Sequence, residues 1–364
     1  MKTNLYPFYI REEVIKAIRE FFYRKKFHEV VIPVFNIALP LEPNLYAFET
    51  VWRLPKDEKK FYLPTSPESS LKKMIAKGMG NCFAISKTFR NLEGSGKWHH
   101  PEFLMLEWYR ENTTYHDIME ETQELILFVV RHSRESGNPF RFKNEWIPNQ
   151  VGDDNISWPR TSMEDLFKKY ANINLEEFCH AELTSSVIPN LFLDPIGTLK
   201  PIRQAQDPEY IEGQVQGDKR RSVRDEYNVK GATWEQIFNQ IFLNEVEPHL
   251  PKTPFFLTDY PSRISPLCAK RKDKPYLAER FDLYMEGIEI ANGNTENTNA
   301  SEVLEAMKNE ERYRKDKGLF SPPIDMEFIE ALKMMKGKTW AGAGLGVDRL
   351  SMLVAGCKDI NDLR

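Results

Sequence analysis

Cysteine is scarce in this 364-residue chain: there are four, Cys82, Cys179, Cys268 and Cys357, widely spaced and without a C-x-x-C pair. That spacing argues against a disulfide scaffold and against a cysteine-built zinc site, and it suits buried thiols in a reducing compartment. No apolar run approaches the ~18–20 residues of a membrane span, and the N-terminus lacks a charged-then-apolar secretion signal. The expected location is cytoplasmic, with no membrane partner. An excess of positive charge is missing too: 50 Lys and Arg stand against 54 Asp and Glu, a formal charge of -4. Such a balance argues against a surface built for stable nucleic-acid binding. What is present is a 41% hydrophobic content, enough for one large core. A single catalytic domain over residues 1–364 is expected.

Periodicity gives the elements. From Arg11 to Phe22, Val14, Ile15, Ile18 and Phe22 recur at helical spacing, and Phe27 to Phe35 reads as a strand broken by Pro33. Phe61 to Leu63 is strand-like, Pro67 to Ala76 helical, and Cys82 to Thr88 and Phe103 to Tyr109 are strands of one hairpin joined by a polar loop. Tyr115 to Val130 is an amphipathic helix. Further on, Thr233 to Val246 and Ala300 to Lys317 read as helices, Pro254 to Tyr260 and Glu279 to Ile290 as strands. Ala341 to Gly346 reads as a strand running into a helix, Val347 to Ala355. Two stretches, about 131–155 and 202–230, lose all period and turn polar, which marks them as insertions in surface loops.

Three groups of residues carry chemistry. On the hairpin, Phe103, Met105, Glu107 and Tyr109 share a face because strand side chains alternate, and Arg90 stands near the end of the partner strand. A guanidinium there can grip phosphate or carboxylate, and an exposed Phe can stack on a purine. Next, Asp282 and Glu289 flank an apolar strand and are candidates for Mg2+, a hard cation that takes one or two protein carboxylates beside phosphate. Their odd separation puts them on opposite faces of a regular strand, so joint use requires a bulge or turn near Gly287. Third, glycines 342, 344 and 346 lead into a helix that carries Arg349, where a ligand can approach the backbone and an Arg can reach a triphosphate.

In this order the three groups resemble the signature motifs of class II aminoacyl-tRNA synthetases, and most closely the lysyl branch. Arg11 to Pro33 resembles motif one, Arg90 with His99 to Phe103 motif two, and Gly344 to Arg349 motif three. The resemblance implies an α+β fold, an antiparallel β-sheet flanked by helices, and a homodimer formed through the motif-one helix. It implies ATP and Mg2+ as cofactors. Arg90 and Arg349 would be the catalytic cations, Arg90 on the substrate carboxylate and α-phosphate, Arg349 on the γ-phosphate. Glu93, His99, Glu102, Phe103, Glu289 and Asn292 would complete the ATP site, with Phe103 stacked on adenine and Glu102 recognising it. The lysine site would use Glu68 for an amino group, Glu107, Tyr109 and Glu296 around the distal ammonium, and Asn292 and Gly344 beside the backbone. Asp282 and Glu289 would hold Mg2+.

Only about ten residues precede the motif-one helix, so no N-terminal anticodon-binding barrel is expected. The likeness is to truncated lysyl paralogues that ligate lysine or β-lysine to elongation factor P, a protein acceptor. Two other readings stay open: lysine transfer to tRNA with a separate partner, and a non-catalytic paralogue acting as a regulatory subunit. The chain departs from the family at Leu92, where an acidic residue is usual, at His100, where Asn is usual, and over Asn294 to Asn299. Family members that use (R)-β-lysine tend to have Ala where this chain has Gly344, which implies that α-lysine is at least as good a substrate here.

Overall fold

A computed structural model describes residues 5–92, 96–135, 157–181 and 233–364. Helix α1, Tyr6–Arg24, buries Val14, Ile18 and Phe22 of the predicted stripe, leaves Ile15 half-buried and adds Ile10. Strand β1 is only His28–Glu29, paired parallel to Cys82 and Phe83. The predicted strand to Phe35 is therefore cut short. Val30 still donates to the Phe83 carbonyl, but Pro33 has no N–H to continue the ladder. Strands β2, Glu49–Leu54, and β3, Asp57–Tyr62, form a separate hairpin of which only the end was read from sequence.

Helix α2, Glu68–Ala76, is followed by β4, Cys82–Phe89, and β5, Glu102–Glu111, which pair antiparallel as expected. Helix α3 runs Tyr115–Glu135, so the first residues of the expected insertion at 131–155 are helical. The rest of that stretch and the whole of 202–230 lie outside the described residues. Strand β6, Arg160–Ser162, and short helices α4, Met163–Leu166, and α5, Leu175–His180, pack with α6, Trp234–Ile241, and β7, Phe255–Thr258, around Phe167, Phe178, Trp234 and Phe238.

The expected strand from Glu279 to Ile290 is two: β8, Arg280–Met285, and β9, Ile288–Thr295. Glu286 and Gly287, at φ of 53° and 75°, make the left-handed two-residue turn between them. Helices α7, Ala300–Asp316, and α8, Met326–Met335, precede β10, Trp340–Gly346, and α9, Val347–Ala355. Asp325 caps α8 by accepting from the Phe328 N–H at 3.1 Å, a start signal not used in the reading above.

The other eight described strands form one sheet in the order β1-β4-β5-β10-β9-β8-β7-β6. The edge pairs β1 with β4 and β6 with β7 are parallel, and every pairing between them is antiparallel. Phe83, Leu106, Trp108 and Leu345 point to a core shared with α1, α3 and α9. Cys82, Ala84 and Tyr109 point the other way, toward α2, α7 and α8. At the centre of that second face Gly342 faces Tyr109 across the ladder, and a Cβ there would lie 2.5 Å from the Trp108 carbonyl and closer still to a carbon of the Tyr109 ring. Glycine at 342 thus leaves room for the Tyr109 ring. The second face carries the chemistry. Among the described residues no helix is long and apolar enough to cross a membrane, and all four cysteines are free.

Candidate functional site

Two adjoining cavities open on the second face of the sheet. The larger, about 300 Å³, is lined by Glu42, Ser66, Glu68, Glu107, Tyr109, Arg280, Asn294 and Gly342 among others. The smaller, about 60 Å³, is lined by Trp98, His99, Phe103, Asp348 and Arg349. Arg90, Met105, Glu289, Asn292 and Gly344 line both, so they form a common wall.

The wall follows from register. Gly344 lies between Glu107 on β5 and Asn292 on β9, and Gly342 between Tyr109 and Asn294, so side chains two apart on three strands converge. On β8 and β9 a register shift between Leu283 and Tyr284 brings Glu289 opposite Tyr284 while Asn292 stays opposite Asp282. The shift lies away from Gly287, where a turn puts Asp282 and Glu289 on separate strands, and it does not bring Asp282 into either cavity. It lets Asn292 donate to Glu289 Oε1 at 3.0 Å.

Arg90 is fixed by donating Nε–H to the Thr65 carbonyl at 3.2 Å, and its guanidinium lies 5.3 Å from the centre of the Phe103 ring. Arg349, in the first turn of α9, donates to the Trp98 carbonyl at 3.2 Å and to the Glu289 carbonyl at 2.9 Å. Two guanidinium groups therefore stand at the smaller cavity with an aromatic ring beside them. Phosphate chemistry suits such a place.

Not every expected residue arrives. Glu102 and Phe103 are neighbours on a strand, so they face opposite ways. Glu102 pairs with Lys87 at 2.8 Å, a bond that lowers its pKa, and it lines neither cavity. Its side chain is not placed to read a base in the smaller cavity. Glu93 lies outside the described residues. Asp282 is buried, lines neither cavity and is gripped by Arg280 at 3.1 and 3.3 Å. Burial raises its pKa to about 6, Arg280 opposes this, and the nearby Glu289 adds to it.

Among the described residues no group of three or more His, Cys, Asp and Glu forms a metal cage. A phosphate-bound Mg2+ needs less than that. Glu289 fits, since it lines both cavities and only one of its oxygens is taken by Asn292. Asp282 fits only if it gives up Arg280.

The larger cavity is acidic, and behind its lining lies a residue the sequence reading missed. Lys72, 1% exposed, is paired with both Glu68 and Glu296 and lies 5.3 Å from the Tyr109 ring centre. Burial works against its charge, but Glu296 and Glu68 outweigh it and hold the ammonium protonated. Glu296 lies behind the wall, where Asn294 also donates to it at 3.1 Å. Burial lifts its pKa to about 7 despite Lys72. Glu107 accepts from the Tyr109 hydroxyl through Oε1, while its Oε2 is buried and has no hydrogen-bond partner. Burial, reinforced by Glu68, pushes its pKa well up. Glu42, also missed, lines the cavity from the loop before β2, and burial with Glu68 raises its pKa to about 7. The signal for Lys72 was its place four residues after Glu68 on α2, a spacing that pairs charges on a helix face. Glu42 sits in a proline-rich stretch without period, and nothing local marks it.

The sequence profile described as tRNA synthetases class II (D, K and N) matches residues 2–364. Among curated relatives, the elongation factor P–(R)-β-lysine ligase of Pectobacterium carotovorum is 30% identical over 97% of this chain and 92% of its own length. The ligase of the same name from Yersinia enterocolitica is 28% identical over 97% and 92%. The lysine–tRNA ligase of Vesicomyosocius okutanii is 29% identical over 100% of this chain, which spans 64% of that protein.

Proposed function

Since the chain belongs to the class II tRNA synthetase family (D, K and N), we propose that it activates lysine or β-lysine with ATP as an aminoacyl adenylate. It is a ligase of the elongation factor P (R)-β-lysine type, and the acyl group passes to a lysine side chain of that factor in the cytoplasm. The observation that carries this reading is the common wall. Arg90 borders both cavities, so a carboxylate in the larger one and an α-phosphate in the smaller one meet at a single guanidinium.

The chemistry needs position and charge rather than a protein nucleophile. The amino-acid carboxylate attacks the α-phosphorus and pyrophosphate leaves, with Arg90 at the reacting groups and Arg349 on the departing phosphates. Phe103 offers its face to adenine, beside His99. Mg2+, when bound at Glu289, offsets phosphate charge. The acceptor amine then attacks the acyl carbonyl, AMP departs and the new amide loses a proton. Glu107 and Tyr109 hold the distal ammonium, and Asn292 and Gly344 flank the backbone.

A homodimer forms through α1 and the segment after it. There Val31, Phe35 and Ile37 are 94%, 59% and 72% exposed, although Val31 lies between Val30, which is packed, and Ile32, which is buried.

Lysine-dependent exchange of pyrophosphate into ATP tests the activation step, and labelled lysine offered with elongation factor P or with tRNA tests the acceptor. Absence of exchange would favour a non-catalytic paralogue. Label on tRNA alone would favour the charging reading.

A further inference from the structure

The larger cavity contains more carboxylates than the substrate has ammonium groups, so the charges must be matched one by one. A lysine substrate brings two ammonium groups, one at the backbone and one at the distal end. Of the carboxylates at the cavity, Glu68 is already bonded to Lys72, and so is Glu296 behind the wall. Glu289 stands on the wall shared with the smaller cavity and accepts from Asn292. Two remain. Glu107 has a buried Oε2 without a hydrogen-bond partner. Glu42 is surrounded by charges but engages none of them in a hydrogen bond. A carboxylate without a hydrogen-bond partner among so many charges lacks compensation until a cation arrives.

The two reach the cavity from different elements. Glu107 is bonded to the Tyr109 hydroxyl and lines the larger cavity only. Glu42 lines the same cavity from a loop whose backbone is bonded to Asn91, beside Arg90. Its loop is fixed there by bonds that owe nothing to a ligand. Arg314, 1% exposed on α7, donates to the Glu42 carbonyl at 2.6 Å and to the Leu45 carbonyl at 2.9 Å. Tyr46 in turn accepts through its carbonyl from the N–H of Asn91 at 2.8 Å, the residue after Arg90. The backbone that carries Glu42 is thus tied directly to the backbone that carries the reacting guanidinium.

We propose that Glu42 is the counter-charge for the backbone amino group of the amino-acid substrate, and that Lys72 is a resident ammonium that occupies Glu68 and Glu296. The inference rests on the reading of the larger cavity as a lysine site and adds a residue to it. Glu42 and Arg90 then hold the amino and carboxylate groups of one substrate, and Glu107 holds its distal ammonium. Glu68 acts through Lys72 as a positioning residue of the cavity wall.

The test separates the two ends of the ligand. Binding of lysine, of 6-aminohexanoate, which lacks the backbone amine, and of norleucine, which lacks the distal amine, is titrated against wild type, Glu42→Gln and Glu107→Gln. Lysine-dependent pyrophosphate exchange by wild type is measured first, and its absence sinks the lysine reading itself. Melting temperature and ATP affinity verify that each variant is folded.

Glu42→Gln is expected to weaken lysine and norleucine by about tenfold or more while 6-aminohexanoate stays within about twofold. Glu107→Gln should give the converse, with 6-aminohexanoate weakened and norleucine spared. If Glu42→Gln weakens 6-aminohexanoate as much as lysine, or leaves all three ligands unchanged, the assignment of Glu42 is overturned while the lysine reading stands.

Discussion

Arg349 donates to the backbone carbonyl of Glu289 at 2.9 Å, which joins the first turn of α9 to the strand that forms the common wall. The guanidinium is thus held in place before any nucleotide arrives, and preorganised charge of this kind is worth more than charge that must be recruited. Arg349→Ala is expected to lower lysine-dependent exchange by about a thousandfold with the fold retained. Circular dichroism and exchange assays decide it, and near-normal exchange would contradict the role.

Gly344 has a single close neighbour for an added methyl group, the terminal carbon of Met105. A Gly344→Ala change therefore pushes on one flexible side chain at the wall rather than on backbone. Wild type is expected to exchange with α-lysine at least as well as with (R)-β-lysine, and Gly344→Ala to shift the ratio toward β-lysine by about tenfold, the effect of one methyl group in a pocket. A strong β-lysine preference in the unaltered protein would refute this.

The Glu42 carboxyl titrates near 7 in the fold, raised by burial and Glu68 against Arg90, Lys72 and Arg280, whereas its ordinary value is 4.5. Below that ordinary value folded and unfolded chains are equally protonated there; above about 7 the fold carries a charge it disfavours. Stability of the ligand-free protein from this group therefore falls as pH rises between the two, by on the order of 2 kcal/mol. An ammonium from lysine relieves the penalty. Saturating lysine should raise the melting temperature more at pH 8 than at pH 5.5, and Glu42→Gln should flatten the difference. Equal shifts at both pH values in wild type would be the contrary result.

Arg314 is buried with Glu310, its salt-bridge partner at 2.6 Å, and it also satisfies two loop carbonyls. Arg314→Met strands the carboxylate and should destabilise the fold by about 3–5 kcal/mol, while Arg314→Met with Glu310→Leu should recover part of it. Chemical denaturation measures both, and a double variant no better than the single would rule out the stranded charge as the cause.

Val31 and Ile37 are almost wholly exposed apolar side chains beside α1. If they meet a second copy, replacing both with Glu should convert a dimer into a monomer at micromolar concentration, because buried unpaired carboxylates weaken an interface steeply. Sedimentation velocity reads the outcome directly, and an unaltered species would place the contact elsewhere.

Where a period carried information, the sequence was legible. The alternation that put Phe103, Met105, Glu107 and Tyr109 on one face is the alternation that lines the cavities. The spacing of Asp282 and Glu289 required a bulge or turn near Gly287 for joint use; a turn is there, but Asp282 stays with Arg280 outside both cavities. The same alternation, applied one residue earlier, would have turned Glu102 away from Phe103. Lys72 was out of reach for a different reason: an E-x-x-x-K pair on a helix looks like a solvated surface until β9 brings Glu296 over it. Glu42 owes its position to Arg314, far along the chain, and such a contact leaves no local trace.

Five residues belong to both cavities, so a ligand that reaches along them meets the lining of each. A molecule that spans the pair loses its freedom of tumbling once, where two separate ligands lose it twice. A stable sulfamoyl mimic of the lysyl adenylate should accordingly cling far more tightly than lysine and AMP added side by side, and the natural intermediate should stay in place until an acceptor collects it.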